Sequence, residues 1–307
     1  MTCSDTGSPA RAGSPVRWAL AVGPAAAPAL GRSGTALRVH SVFPSTANLE
    51  VEGHPLLVAL TGPGGAFYPH AVVLGREEDL ASLGLAAGDP GWVGGQSFRI
   101  RTLAGWVVVD LARAVYPPLR PMPAVPRLGE AYGTCAVRLR GIQADLGCRP
   151  GFGADAPLAR AARALGATIQ DLAWAGPLLE ARPLPPALGR AVAALVGLGP
   201  GLTPAGDDYL CGFLAAARGC RPALAARLGQ AVLANLSRTG DISASLLRAA
   251  AAGHWPAPLA DLAAALAGDR EVQALAALDA LCRLGHSSGA DLAAGFLDGL
   301  GILAALP

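Results

Sequence analysis

The sequence predicts an α+β protein, with a β-rich part followed by an all-helical part. Two observations carry this. Residues 35–116 are short apolar runs rich in β-branched residues, punctuated by Gly and Pro. From residue 130 onward, apolar residues recur at helical spacing instead. Strands followed by helices, rather than alternating with them, argue against a parallel α/β sheet. Between the two parts lies the proline-dense "YPPLRPMPAVPRLG", of which residues 117–129 form the connector. Residues 1–34 read as a poorly defined segment, the first ~14 of them disordered.

Six strands are expected in the first part: "ALRVHSVF", "ANLEV", "PLLVALTG", "HAVVLG", "SFRIRTL" and "WVVVDL". Their even spacing points to a small barrel or a sandwich. The last two form a hairpin that turns near Ala104-Gly105. The second part offers seven or eight helices, in "APLARAARALGATI", "PALGRAVAALVGL", "DDYLCGFLAAARG", "RPALAARLGQAVLANL", "ASLLRAAAAG", "PLADLAAALAG", "VQALAALDALCRLG" and "ADLAAGFLDGLGILAAL". Each stops near Gly, Pro or a polar break.

Composition excludes several function classes. Charged residues are 15% of the chain and the net charge is +2, so no basic footprint marks a nucleic acid or an anionic membrane. All 24 cations are Arg. Without Lys there is no Schiff-base chemistry and no Walker-type phosphate lysine. The six cysteines form no C-x-x-C pair and read as reduced thiols of a cytoplasmic protein. The longest uncharged run, Gly53 to Gly75, is broken by His, Pro and Gly and reads as strands and a turn rather than a membrane span. A surface this poor in charge suits a subunit that buries area in an assembly.

The chemistry concentrates at "GLGPGLTPAGDDYLCGFL", residues 197–214. Thr203 suits a helix N-cap and Pro204 the first helical position. Gly197, Gly199 and Gly201 allow backbone to approach a ligand, and the helix N-terminus that follows, at Thr203 to Gly206, favours an anion. Asp207 and Asp208 fall in the first turn, where acids also complement the helix dipole, so a simply well-capped helix is the plainer reading.

A second passage strengthens the functional one. "GDDYLCGFL" and "GADLAAGFL" share the pattern G-x-D-x-x-x-G-F-L, which pairs Gly206, Asp208 and Gly212 with Gly289, Asp291 and Gly295. Asp and the Gly four residues later share a helix face. Two such helices in contact would bring Asp208 and Asp291 together. Ser287 and Ser288 precede the second copy as capping candidates, and His286 stands at the loop mouth as an acid/base candidate. In "SRTGDISASLLRAAAAG", Thr239, Ser243 and Ser245 crowd a helix start, and Arg238 suits a bidentate anion clamp. In the β-rich part, Asn48 lies inside strand-like sequence, either at a bulge or aimed at a ligand.

Together "SVFPSTANLEV", "GLGPGLTPAGDDYLCGFL", "TGDISASLLRAAAAG" and "GHSSGADLAAGFLDGL" resemble the AllH family across residues 38–303. The family's best-understood role is as one of the different subunits of oxamate carbamoyltransferase. The resemblance implies carbamoyl transfer between carbamoyl phosphate and oxamate, in anaerobic allantoin breakdown, within a hetero-oligomer. It carries no residue roles. From the residues themselves, the expected catalytic set is Asp208, Asp291 and His286. Asn48, Gly199, Gly201, Thr203, Gly206, Asp207, Arg238, Thr239, Ser243, Ser287 and Ser288 are expected around a small anionic substrate. Two alternatives stay open. One is a hydrolase or lyase in which Asp207, Asp208 and Asp291 hold Mg²⁺ or Mn²⁺. The other is a non-catalytic assembly subunit whose polar motifs only cap helices.

Overall fold

The computed structural model describes residues 16–63, 68–76, 80–146, 156–174 and 184–306. The expectation of disorder over the first ~14 residues lies outside them. Residues 1–119 and 120–307 form two compact units.

The first unit is a closed barrel of eight strands: β1 (Val16–Val22), β2 (Ala36–Val42), β3 (Thr46–Val51), β4 (Val58–Thr61), β5 (Ala71–Leu74), β6 (Pro90–Gly94), β7 (Ser97–Thr102) and β8 (Gly105–Asp110). Around the barrel the order is β1-β5-β4-β3-β2-β6-β7-β8. Closure comes from β1, which pairs antiparallel with β5 and parallel with β8. Alternating inward residues fill the interior, among them Leu37, Val39, Leu49, Leu60, Val72, Phe98, Ile100 and Val109. The hairpin turns where expected, with Thr102 paired to Gly105.

Two strands were not anticipated, and each has a physical reason. β1 lies in the segment 1–34 expected to be poorly defined. It carries apolar Val16, Trp18 and Leu20 at its exposed positions, so the polar/apolar alternation that marks a half-buried strand is missing. β6 contains a Pro and two Gly, residues that interrupt the pattern of a strand. Gly91 is required there, since a Cβ would overlap the Arg99 carbonyl oxygen of β7.

The second unit is helical; among the described residues no strand follows β8. After a single turn in the barrel unit, α1 (Ala27–Leu30), come α2 (Glu130–Asp145), α3 (Pro157–Trp174), α4 (Pro186–Ala193), α5 (Ala205–Cys220), α6 (Pro222–Leu233), α7 (Asp241–Ala251), α8 (Ala257–Ala267), α9 (Glu271–Cys282) and α10 (Ser288–Ala304). α2, whose sequence contains Gly133 and Gly141, lies in the part expected to be helical from residue 130 but in none of the individual runs read as helices.

At the centre, α5 packs along α10. Every residue from Gly206 to Ala217 is buried, as expected of a helix enclosed on all sides. A Cβ at Gly212 would overlap the Leu292 carbonyl oxygen, and one at Gly295 would overlap the Tyr209 carbonyl oxygen. Contacts run in the same order along both helices, from Tyr209 with Gly295 to Ala216 with Gly299. The two therefore point the same way, and their N-termini lie together. Tyr209 links them further along by donating its hydroxyl to Asp298 at 3.2 Å.

Candidate functional site

The joined N-termini of α5 and α10 gather the acids and hydroxyls that the sequence singles out. Each helix has a Gly in its first turn that packs against a carbonyl of the segment preceding it. A Cβ at Gly206 would overlap the Leu195 carbonyl oxygen, and one at Gly289 the Leu281 carbonyl oxygen. Both glycines also donate backbone N–H groups into the preceding loops, Gly206 to Leu198 and Gly289 to Leu284, each at 2.9 Å.

The adjacent acids do different work. Asp207 is 1% exposed and fully engaged. Its Oδ1 accepts the Gly197 N–H at 2.8 Å, and its Oδ2 accepts the hydroxyls of Thr239 at 2.5 Å and Ser243 at 2.6 Å. It thereby ties the glycine loop to the start of α7. Gly197 has φ 75° and packs against the Arg238 carbonyl, a place only a residue without Cβ can take.

Asp208 is turned the other way. It is buried beside Asp291, Thr203 and Ser288, and its Oδ2 has no hydrogen-bond partner. Burial, foremost, holds its carboxyl well above the usual carboxylate range; the hydroxyl of Ser288 acts in the opposite direction, the charges of Asp291 and Asp207 add to the rise, and Thr203 opposes it. Asp291 is pushed up to about 6, chiefly by burial and against the stabilising hydroxyl of Ser287. Thr203 Oγ1 and Ser288 Oγ share a hydrogen bond of 2.7 Å that joins the two helix starts.

Several expected roles are not those observed. Thr203 does not cap α5: the residue before the helix is Pro204, no side chain caps it, and the Thr203 hydroxyl goes to Ser288. Ser287 and Ser288 make no capping bond to α10 either. The anion cradle at the start of α5 is largely closed, since Gly206 donates to Leu198, and Asp207 and Asp208 both donate to Pro204. His286 is exposed rather than buried with the acids. Arg238 is likewise exposed, and so are Gly199 and Gly201, both at positive φ in the loop. In the barrel unit Asn48 is buried beside the irregularity of β2, where it donates to Ser41 at 3.0 Å.

The residues do not suit the metal alternative. Both oxygens of Asp207 are filled by hydrogen-bond donors. Among the described residues no group of three or more His, Cys, Asp or Glu is placed to hold an ion.

Two family models match the chain. That of oxamate carbamoyltransferase subunit AllH matches residues 195–300, and that of the AllH family N-terminal domain matches residues 19–116. The chain belongs to the AllH family. No solved structure matches it. The AllH match takes in the whole site, from the loop before α5 to α10. The N-terminal AllH match begins within β1, so the family resemblance reaches further toward the N-terminus than residue 38. Among the described residues, no helix is long and apolar enough to cross a membrane.

Proposed function

We propose that this AllH chain is a subunit of an oxamate carbamoyltransferase or a closely similar enzyme, and that the paired starts of α5 and α10 contact the substrate. Asp208 carries the reading: a buried carboxyl with raised proton affinity and an oxygen that no protein group satisfies. In carbamoyl transfer, the amide nitrogen of oxamate forms a bond to the carbamoyl carbon. The carbon–oxygen bond to phosphate breaks, phosphate leaves with that electron pair, and the attacking nitrogen gives up a proton. A desolvated carboxylate of raised proton affinity is suited to receive that proton.

The phosphate belongs elsewhere. Bare acids repel it, and the N–H groups that would cradle it are already used within the chain. Exposed Arg238, or a group from another subunit, is the natural holder, which fits an enzyme of several different chains. Cys135, Cys211, Cys220 and Cys282 are free thiols, in keeping with a cytoplasmic setting.

The test is to purify the chain with whatever subunits accompany it and to follow phosphate-dependent cleavage of N-carbamoyl oxamate to carbamoyl phosphate and oxamate. Turnover that Asp208→Asn abolishes is the expected result. Absence of turnover in the intact assembly overturns the reaction. Full turnover by an assembly containing Asp208→Asn makes the chain an assembly subunit instead.

A further inference from the structure

The acid cluster has a shortage of hydrogens, and that shortage identifies its ligand. Thr203 and Ser288 carry one hydroxyl hydrogen each, and one of the two lies in their mutual bond. At most one remains for Asp208, whose Oδ2 is left with nothing although it is buried. Asp207 cannot help, because its oxygens already take the Gly197 N–H and the Thr239 and Ser243 hydroxyls. Asp291 is a second buried carboxyl close enough to act on Asp208 electrostatically. With Asp208 ionised, its Oδ2 is a buried acceptor without a donor, which costs free energy, so in that state the complete site needs a ligand that brings hydrogens and no negative charge.

We propose that Asp208 and Asp291 form a receptor for the neutral NH₂ end of a primary amide or ureido group, with Asp208 Oδ2 accepting one N–H. The inference deepens the carbamoyltransferase reading and rests on it for the identity of the natural ligand. It assigns the acid pair to the amide end of the substrate and excludes the anionic end from it. An NH₂ group carries two hydrogens in a plane, which suits two carboxyl acceptors better than a hydroxyl, which brings one. The pair would thus select an amide over the carboxylate of the same shape, because a carboxylate brings no hydrogen and adds a repelling charge.

Oxamate and oxalate differ in that single group and are the probes. Binding to the full chain is measured by calorimetry and by thermal shift, with Mg²⁺ and inorganic phosphate in parallel. The expected result is that oxamate binds, that oxalate binds at least about tenfold more weakly, and that Asp208→Asn loses about tenfold to a hundredfold in oxamate affinity. Gly141→Ala on α2, where nothing lies near the added carbon, should keep the preference for oxamate. Equal binding of oxamate and oxalate, no binding of oxamate, unchanged oxamate affinity in Asp208→Asn, or stabilisation by Mg²⁺ or phosphate but not by oxamate would each overturn it. The wild-type comparison holds even if a variant fails to fold. Amide preference in a chain whose assembly does not transfer carbamoyl groups sinks the reaction and leaves the receptor standing. Transfer without amide preference does the reverse.

Discussion

In α5, Gly206, Asp208 and Gly212 occupy the places that Gly289, Asp291 and Gly295 occupy in α10. Each first Gly lies under a carbonyl of the preceding segment, and each later Gly lies under the carbonyl that follows the other helix's Asp. The exchange is reciprocal, as for two elements related by an approximate two-fold. The copies differ at four positions, and at one of them an acid stands in only one helix. Where α5 has Asp207, tied by three hydrogen bonds, α10 has the small buried Ala290. The repeated acid faces the shared space, and the unrepeated acid holds the scaffold. Repetition therefore separates two aspartates that are neighbours in sequence and equally acidic in composition.

The comparison breaks most readily at the crossing glycines. Gly212→Ala and Gly295→Ala should each cost about 3 kcal/mol or more, because the added carbon meets backbone that cannot rotate away. Gly141→Ala on α2, with nothing near its Cβ position, should be neutral or stabilise by about 0.5–1 kcal/mol. Urea unfolding of the three variants measures the difference. Equal effects would mean that the helices are not held by close backbone approach.

Next comes the scaffold acid. Asp207→Ala leaves the Gly197 N–H and the Thr239 and Ser243 hydroxyls without their acceptor, for an expected loss of about 2–4 kcal/mol. If its melting temperature matches the wild type, Asp207 is not the tie described above.

The repeated acids should behave in the opposite sense. The folded pKa of Asp291 is raised to about 6 from an ordinary carboxylate value, so the folded state holds its proton more tightly than the unfolded chain. The associated stability is present at low pH and is lost as pH rises through about 6. Asp291→Asn should accordingly stabilise by about 1–2 kcal/mol at pH 7.5 and by nothing near pH 4. A pH series of melting temperatures checks it, and a gain independent of pH would assign the effect to packing.

The smallest expected effect is at His286. It is exposed, so His286→Ala should change stability by less than about 0.5 kcal/mol. A large loss would place it within the cluster after all.

Much of this was legible in the chain, for identifiable reasons. The two-part architecture follows from a change of apolar period, which survives any detail of packing. The contact between α5 and α10 was readable because a Gly on a buried helix face records the closeness of a neighbour. β1 was not readable: its partners β5 and β8 lie far along the chain, and its outward residues are apolar, so only barrel closure reveals it as a strand. Thr203 was misjudged because a hydroxyl before a helix can cap locally or bond at long range, and local sequence contains no account of the competing partner, Ser288, 85 residues away.

By itself, then, the sequence determined the fold class, the absence of any lysine chemistry, the segment that carries the site and the pairing of two acids through a repeated pattern. These depend on residue type and spacing, which are local. Only the tertiary structure decided which hydrogens reach which oxygens. It spent the helix N–H groups and both oxygens of Asp207 on the scaffold, left His286 and Arg238 exposed, and left Asp208 Oδ2 unsatisfied. Hydrogen-bond donors are finite and are shared among groups from distant parts of the chain, so that allocation is fixed only once all of them are in place.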